Sequence, residues 1–221
     1  MIKIPKKIKA VICDFDQTLI KFNVDWDILR QASAKIFKKY GFEVDYKKLR
    51  PIFEQTAREL KSLENSNSQE EVISQIANEL LVAQENFELK SVNSTTVFPD
   101  TKAFLEYASD QNLPIGLLTS NLSSVVKKIF SRFQVSFKGP IMGREQVKYP
   151  KPDSEGITKL LKELQLTGSS CMLVGDGDSD MEVAKKVGAV AVFLKRSESQ
   201  YLSYSKPDFT INSLSEINFS Y

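Results

Sequence analysis

Residues 11–22, VICDFDQTLIKF, decide how this chain reads. An apolar run from Ile8 to Cys13, suited to a buried strand, ends on two aspartates, Asp14 and Asp16, with only Phe15 between them. In an extended strand, residues two apart share a face. The two carboxylates would therefore repel unless the backbone turns or a cation sits between them. A like-charge pair at the end of an apolar strand asks for a functional cause.

The bulk numbers narrow the field. A chain of 221 residues that is 42% hydrophobic can bury a sizeable core, as two domains or as one domain carrying an insertion. Thirty basic against 28 acidic residues leave a net charge of +2, so no global field recruits nucleic acid or an anionic membrane. The lysines of KIPKKIK (Lys3, Lys6, Lys7 and Lys9) read as a solvated lead-in to the first strand. No apolar run approaches the roughly 20 residues that span a bilayer, and the first residues lack the apolar core of a signal peptide. The expectation is a cytoplasmic protein with neither a membrane nor a nucleic-acid partner.

Cys13 and Cys171 both lie in apolar runs and read as small buried hydrophobes, with no disulfide implied. The chain has no histidine at all. That excludes a Ser-His-Asp triad, a His-paired cysteine nucleophile, a His-ligated zinc and phosphohistidine chemistry. Neither cysteine has an arginine six residues on, so a cysteine phosphatase is excluded too. Acid–base work falls to carboxylates, Lys, Tyr or Cys.

Residues 24–90 carry helical periodicity almost throughout. One stripe runs Ile28, Leu29, Ala32, Ile36, Phe37 and Tyr40, closed by Gly41; a second runs from Leu49 to Leu63, with Pro51 delaying its start. A third is expected to begin at Ser68, with Glu71 completing a capping box, and to continue through Leu81. From residue 98 short apolar runs alternate with amphipathic helices: strands at 114–119, 171–175 and 189–194, a brief one in GPIMG, and an edge strand in DFTI. Alternation of this kind predicts an α/β fold, a Rossmann-like doubly wound parallel sheet. The core is then 1–21 with 98–221, and 22–97 is an all-helical insertion after the first strand.

In open parallel sheets the ligand crevice lies beyond the C-terminal strand ends. Asp14 and Asp16 follow the first strand, Thr119, Ser120 and Asn121 the next, and Asp176, Asp178 and Asp180 follow CMLVG. Lys151 sits in the loop before the helix ITKLLKELQL. Carboxylates gathered without His or Cys suit a hard cation, and Mg²⁺, which shares its shell with waters and phosphate oxygens, fits best.

These residues resemble a known family. DFDQT (14–18), LLTSN (117–121), KPD (151–153) and VGDGDSDM (174–181) are similar, in order and spacing, to the four motifs of the haloacid dehalogenase superfamily. The helical insertion resembles the cap of its phosphoglycolate phosphatase-like branch. The resemblance implies an Mg²⁺-dependent phosphatase that acts on a small phosphorylated metabolite through an aspartyl-phosphate. Asp14 would be nucleophile and metal ligand, and Asp16 general acid and base with its main-chain carbonyl on the metal. Thr119 and Lys151 would hold the transferring phosphoryl group, with Ser120 and Asn121 beside them as substrate-binding residues. Asp176 and Asp180 would complete the metal site.

Two departures stand out. Gln17 occupies a turn position where the family usually has Gly, and IKFNVDW replaces a segment that often carries an Asp-Ser pair. Asp178 is an additional carboxylate, read as a helix cap or a solvent-facing group. Residues 22–97 hold ten basic and twelve acidic side chains, so the insertion is no polyanion clamp and a small phosphomonoester is favoured. Its apolar residues read as core, leaving Trp26, Arg30, Arg50 and Arg58 as candidates for substrate contact. A phosphomutase retains the same aspartates and stays open. An aspartate-phosphorylated receiver domain places its acidic pair and acceptor in a different order, and a silent scaffold has no need of intact motifs.

Overall fold

The computed structural model describes residues 2–3, 5, 7–66 and 69–218. The chain divides into two compact units, residues 1–22 with 95–221 and residues 23–94.

The first unit is built on a six-stranded, all-parallel sheet. Its strands are β2 (Ala10–Cys13), β5 (Ile115–Leu118), β6 (Ile141–Met142), β7 (Cys171–Gly175), β8 (Val190–Leu194) and β9 (Phe209–Ile211), in the spatial order β6-β5-β2-β7-β8-β9. Burial on both faces is what permits strands such as AVIC and CMLVG to be continuously apolar. Successive side chains take opposite faces. Ala10 and Ile12 therefore join one core cluster with Leu118, Leu173, Ile157, Leu160 and Met181. The helices are α4 (Pro99–Asp110), α5 (Ser123–Arg132), α6 (Glu155–Glu163) and α7 (Asp178–Lys186). Of these, α6 packs on β5 and β6 while α7 packs on β7 and β8. The doubly wound α/β expectation holds, including DFTI at the sheet edge. Because β2 pairs with β5 on one side and β7 on the other, the chain order reverses there, which opens a crevice at the C-terminal end of β2.

Two short ribbons complete this unit. β1 (Ile2–Lys3) pairs in parallel with β10 (Ile217–Asn218). β3 (Ile20–Lys21) pairs antiparallel with β4 (Thr96–Val97), at the two places where the chain leaves and re-enters the sheet unit.

The helical unit holds α1 (Trp26–Lys39), α2 (Ile52–Asn65) and α3 (Glu70–Ser91). Asp25 caps α1 by accepting from the Asp27 N–H, and Gly41, at φ +87°, stops it. Ile28, counted into the apolar stripe, is 61% exposed, because the buried face is set by Leu29, Arg30, Ser33 and Phe37 instead. Ser68 and its capping box lie outside the described residues, as do Lys6 and residues 219–221; α3 begins at Glu70 after Gln69, with no side-chain cap. The buried face of α3 is apolar through Ile73, Ile76 and Leu80, then polar through Gln84, Glu88 and Ser91. Trp26 packs edge-on against Phe53, and the Asp27 carboxylate accepts from both Arg30 and Arg50.

Candidate active site

The strand ends assemble the site. The Asp14 N–H still donates to the Val174 carbonyl at 2.9 Å, so Asp14 closes β2 with its carboxylate at the crevice. The chain then turns back on Phe15, whose carbonyl accepts from the Leu19 and Ile20 N–H groups. Gln17 makes this turn by adopting φ +55°, the left-handed conformation that glycine takes without steric penalty. The turn is thus made without a glycine.

Lys151 joins the motifs. Its Nζ donates to Asp14 Oδ1 at 2.5 Å and to Asp180 Oδ1 at 2.6 Å, and all three side chains are buried. The other Asp180 oxygen accepts from the Gly177 N–H at 3.1 Å, which caps α7 and fixes the carboxylate. Gly175 makes room for it, because a Cβ there would lie 2.3 Å from Asp180 Cγ. One carboxylate oxygen from each of Asp14, Asp176 and Asp180 lies within 4.8 Å of the others.

Thr119 follows β5. Its N–H donates to the Met142 carbonyl, and its Oγ1 accepts from the Asn121 N–H. Asn121 is fully buried and donates from Nδ2 to Asp16 Oδ2 at 2.8 Å, so motif two orients the second aspartate of motif one. The Ser120 carbonyl accepts from the Arg144 guanidinium.

The electrostatics follow from burial. Burial pushes the Asp14 carboxyl up to about 6, with Lys151 pulling it back and Asp180 adding to the rise. Burial, then the charges of Asp14 and Asp180, hold Asp176 well above the usual carboxylate range. Burial works against the Lys151 charge, yet Asp14 and Asp180 outweigh it and raise the ammonium above the usual lysine range. Burial pushes the thiols of Cys13 and Cys171 up as well; both are free and inert.

Ionised, Asp14, Asp176 and Asp180 carry three negative charges against one positive charge on Lys151, a remainder that a divalent cation would balance. The donors are all oxygen, as a hard cation such as Mg²⁺ requires. The Asp16 carboxylate lies outside this trio.

Residue 178 departs from its expected duty. Gly177 and Asp180 cap α7, while the Asp178 carboxylate accepts from the backbone N–H groups of Ser203, Tyr204 and Ser205. The reason is the loop after β8, which returns across the C-terminal strand ends. From this loop Gln200 reaches Asp176, and Arg196 reaches Asp100 and the Thr18 carbonyl. None of these contacts is marked by a sequence motif. The signal that could have found them is position in the chain, since this loop leaves β8 at the same sheet edge where the loops after β2, β5 and β7 carry the motifs.

The sequence signature of the haloacid dehalogenase-like hydrolase family matches residues 11–194, most of the chain. The chain belongs to the haloacid dehalogenase-like hydrolases. Its relatives include a Clostridium perfringens protein with the provisional name pyrophosphatase PpaX, 26% identical over 219 residues and 95% of each chain. A phosphoglycolate phosphatase of Vibrio parahaemolyticus is 26% identical over 124 residues, 55% of this chain and 54% of that one. Among solved structures, the β-phosphoglucomutase of Clostridium difficile superposes with a TM-score of 0.65 at 20% identity, over 96% of this chain and 94% of that one, which is a likeness of fold. Among the described residues of this hydrolase, no helix is long and apolar enough to cross a membrane.

Proposed function

We propose that this hydrolase is an Mg²⁺-dependent phosphatase of small phosphomonoesters, working through an aspartyl-phosphate on Asp14. The observation that carries the reading is the buried Asp14–Lys151–Asp180 arrangement with Asp176 alongside. One carboxylate is held for attack, and positive charge is anchored where phosphoryl oxygens gather. The relatives named as phosphatases and a pyrophosphatase support it.

Asp14, Asp176 and Asp180, with the Asp16 carbonyl, would hold Mg²⁺, which when bound offsets the phosphate charge. An Asp14 oxygen attacks phosphorus, and the bond from phosphorus to the leaving oxygen breaks. Asp16, oriented by Asn121, gives its proton to that oxygen. Asp16 then takes a proton from the water that attacks phosphorus, releasing inorganic phosphate and restoring Asp14. The Thr119 hydroxyl donates a hydrogen bond to a phosphoryl oxygen, while Lys151 restrains Asp14 and offsets charge. The Ser120 N–H binds the same phosphoryl group, and the Asn121 N–H, donating to Thr119 Oγ1, holds that hydroxyl in place. The helical unit is the counterpart of the cap that the sequence resemblance implies.

The test is inorganic phosphate release from a panel of small phosphomonoesters and pyrophosphate, with and without Mg²⁺, for the wild type and Asp14→Asn. Release that needs Mg²⁺ and disappears in Asp14→Asn is expected. An inert wild type that moves phosphate between positions of a sugar phosphate makes the protein a mutase instead.

A further inference from the structure

The loop between β8 and β9 is tied down on both sides of Gln200. Upstream, the Arg196 guanidinium donates twice to Asp100, to Oδ1 and Oδ2 at 3.0 and 2.7 Å, and to the Thr18 carbonyl. It also stacks on Phe98 at 4.1 Å. Downstream, the Asp178 carboxylate accepts from three consecutive backbone N–H groups, those of Ser203, Tyr204 and Ser205. Between these anchors Ser197, Glu198, Ser199 and Tyr201 are exposed. Leu202 packs against the core, and Gln200 turns inward with its amide used at both ends. Oε1 accepts from the Arg196 N–H at 2.7 Å, and Nε2 donates to both Asp176 Oδ2 and the Asp176 carbonyl at 3.0 Å.

We infer that Gln200 is a positioning residue for the metal site, acting through Asp176; the inference rests on the function proposed above. A carboxylate on a loop has rotamers to lose when it binds a cation, and among the described residues no lysine hydrogen-bonds to Asp176 as Lys151 does to Asp14 and Asp180. Gln200 supplies that restraint. As a neutral donor it orients the carboxylate without adding a positive charge that would repel Mg²⁺. Its two bonds to Asp176, one to the side chain and one to the main chain, fix the rotamer and the loop together. Partners of this kind typically change metal affinity by about 10–100-fold when removed.

The experiment is Mn²⁺ binding followed by electron paramagnetic resonance, with no substrate present, on the wild type and Gln200→Leu. Circular dichroism and thermal melting check the fold of each. We expect affinity about tenfold or more weaker in Gln200→Leu, and phosphatase activity that recovers at high Mg²⁺ with the substrate KM unchanged. A folded Gln200→Leu protein that binds Mn²⁺ within about twofold of the wild type overturns the inference and leaves the proposed function standing. A wild type that binds no Mn²⁺ overturns both. Should Gln200→Leu fail to fold, the side-chain amide resonances of Gln200 in the wild type replace it. They are expected to shift when Mg²⁺ is added, and unmoved signals would refute the role.

Discussion

Lys151 Nζ lies 2.5 Å from Asp14 Oδ1, so the residue that closes the central strand and a loop residue 137 positions later meet as a buried ion pair. The same ammonium holds Asp180, and its removal leaves neighbouring buried carboxylates with no positive partner. Breaking a buried pair from one side typically costs about 3–5 kcal/mol. Lys151→Met is expected to lose about that much stability in EDTA and to regain part of it in Mg²⁺. Urea denaturation in the two buffers reads the difference; an equal loss in both would place the cation elsewhere.

Gln17 holds φ +55° where a side chain is disfavoured by roughly 1–2 kcal/mol. Gln17→Gly removes that strain but loosens the unfolded chain, so a net gain of about 0.5 kcal/mol is expected, with activity retained. Gln17→Val, branched at Cβ, is expected to destabilise. Denaturation midpoints of the three proteins rank them, and Val at or above Gln would contradict the turn geometry.

Gly175 is needed for space. A methyl group there would sit 2.3–2.5 Å from the Asp180 side chain, and a carboxylate held by Lys151 and the Gly177 N–H has little freedom to yield. Gly175→Ala is expected to reduce kcat by about 100-fold or more, a loss equivalent to roughly 3 kcal/mol of transition-state stabilisation. Steady-state kinetics at saturating Mg²⁺ checks it. A loss confined to KM would argue that Asp180 had not moved.

The pH dependence of stability has a sign set by Asp14. Its carboxyl is raised from 3.8 to about 6, so between those values the native state holds a proton that the unfolded chain has released. Stability of the EDTA-treated protein therefore falls as pH rises from about 4 to about 6. Asp100 behaves oppositely: burial opposes its charge, but Arg196, Ser213 and the Leu214 N–H hold its carboxyl below the usual value. Its contribution is present above the unfolded carboxylate value and lost at lower pH, outside the Asp14 window. Melting temperatures across this range should slope downward in EDTA, flatten in Mg²⁺, and slope less steeply in Asp14→Asn, where the raised Asp176 still contributes. A flat profile in EDTA would mean that Asp14 ionises without penalty.

Much of this was legible because buried parallel strands advertise themselves. AVIC, IGLL and CMLVG are continuous apolar runs, and each is followed directly by the residues that form the site. The features that stayed hidden depend on side chains that no periodicity marks. Gln200 and Arg196 lie in KRSESQYLSYS, a polar stretch that reads as an ordinary loop. Asp178 looked like a cap because Asp at a helix start usually is one, whereas Asp180 takes that duty and frees Asp178 for the loop. In the helical unit, Gln84 and Glu88 continue the buried face of α3 at helical spacing, but their polarity concealed them from a reading based on apolar stripes.

The β3–β4 pairing, Ile20 with Val97 and Lys21 with Thr96, has a consequence for inheritance. Paired strands run about 4.8 Å apart. The whole of residues 23–94 therefore departs from and returns to nearly the same point, as a graft does on a stem. Such a module can be lengthened, exchanged or lost with no change in the strand order that brings Asp14 to Lys151.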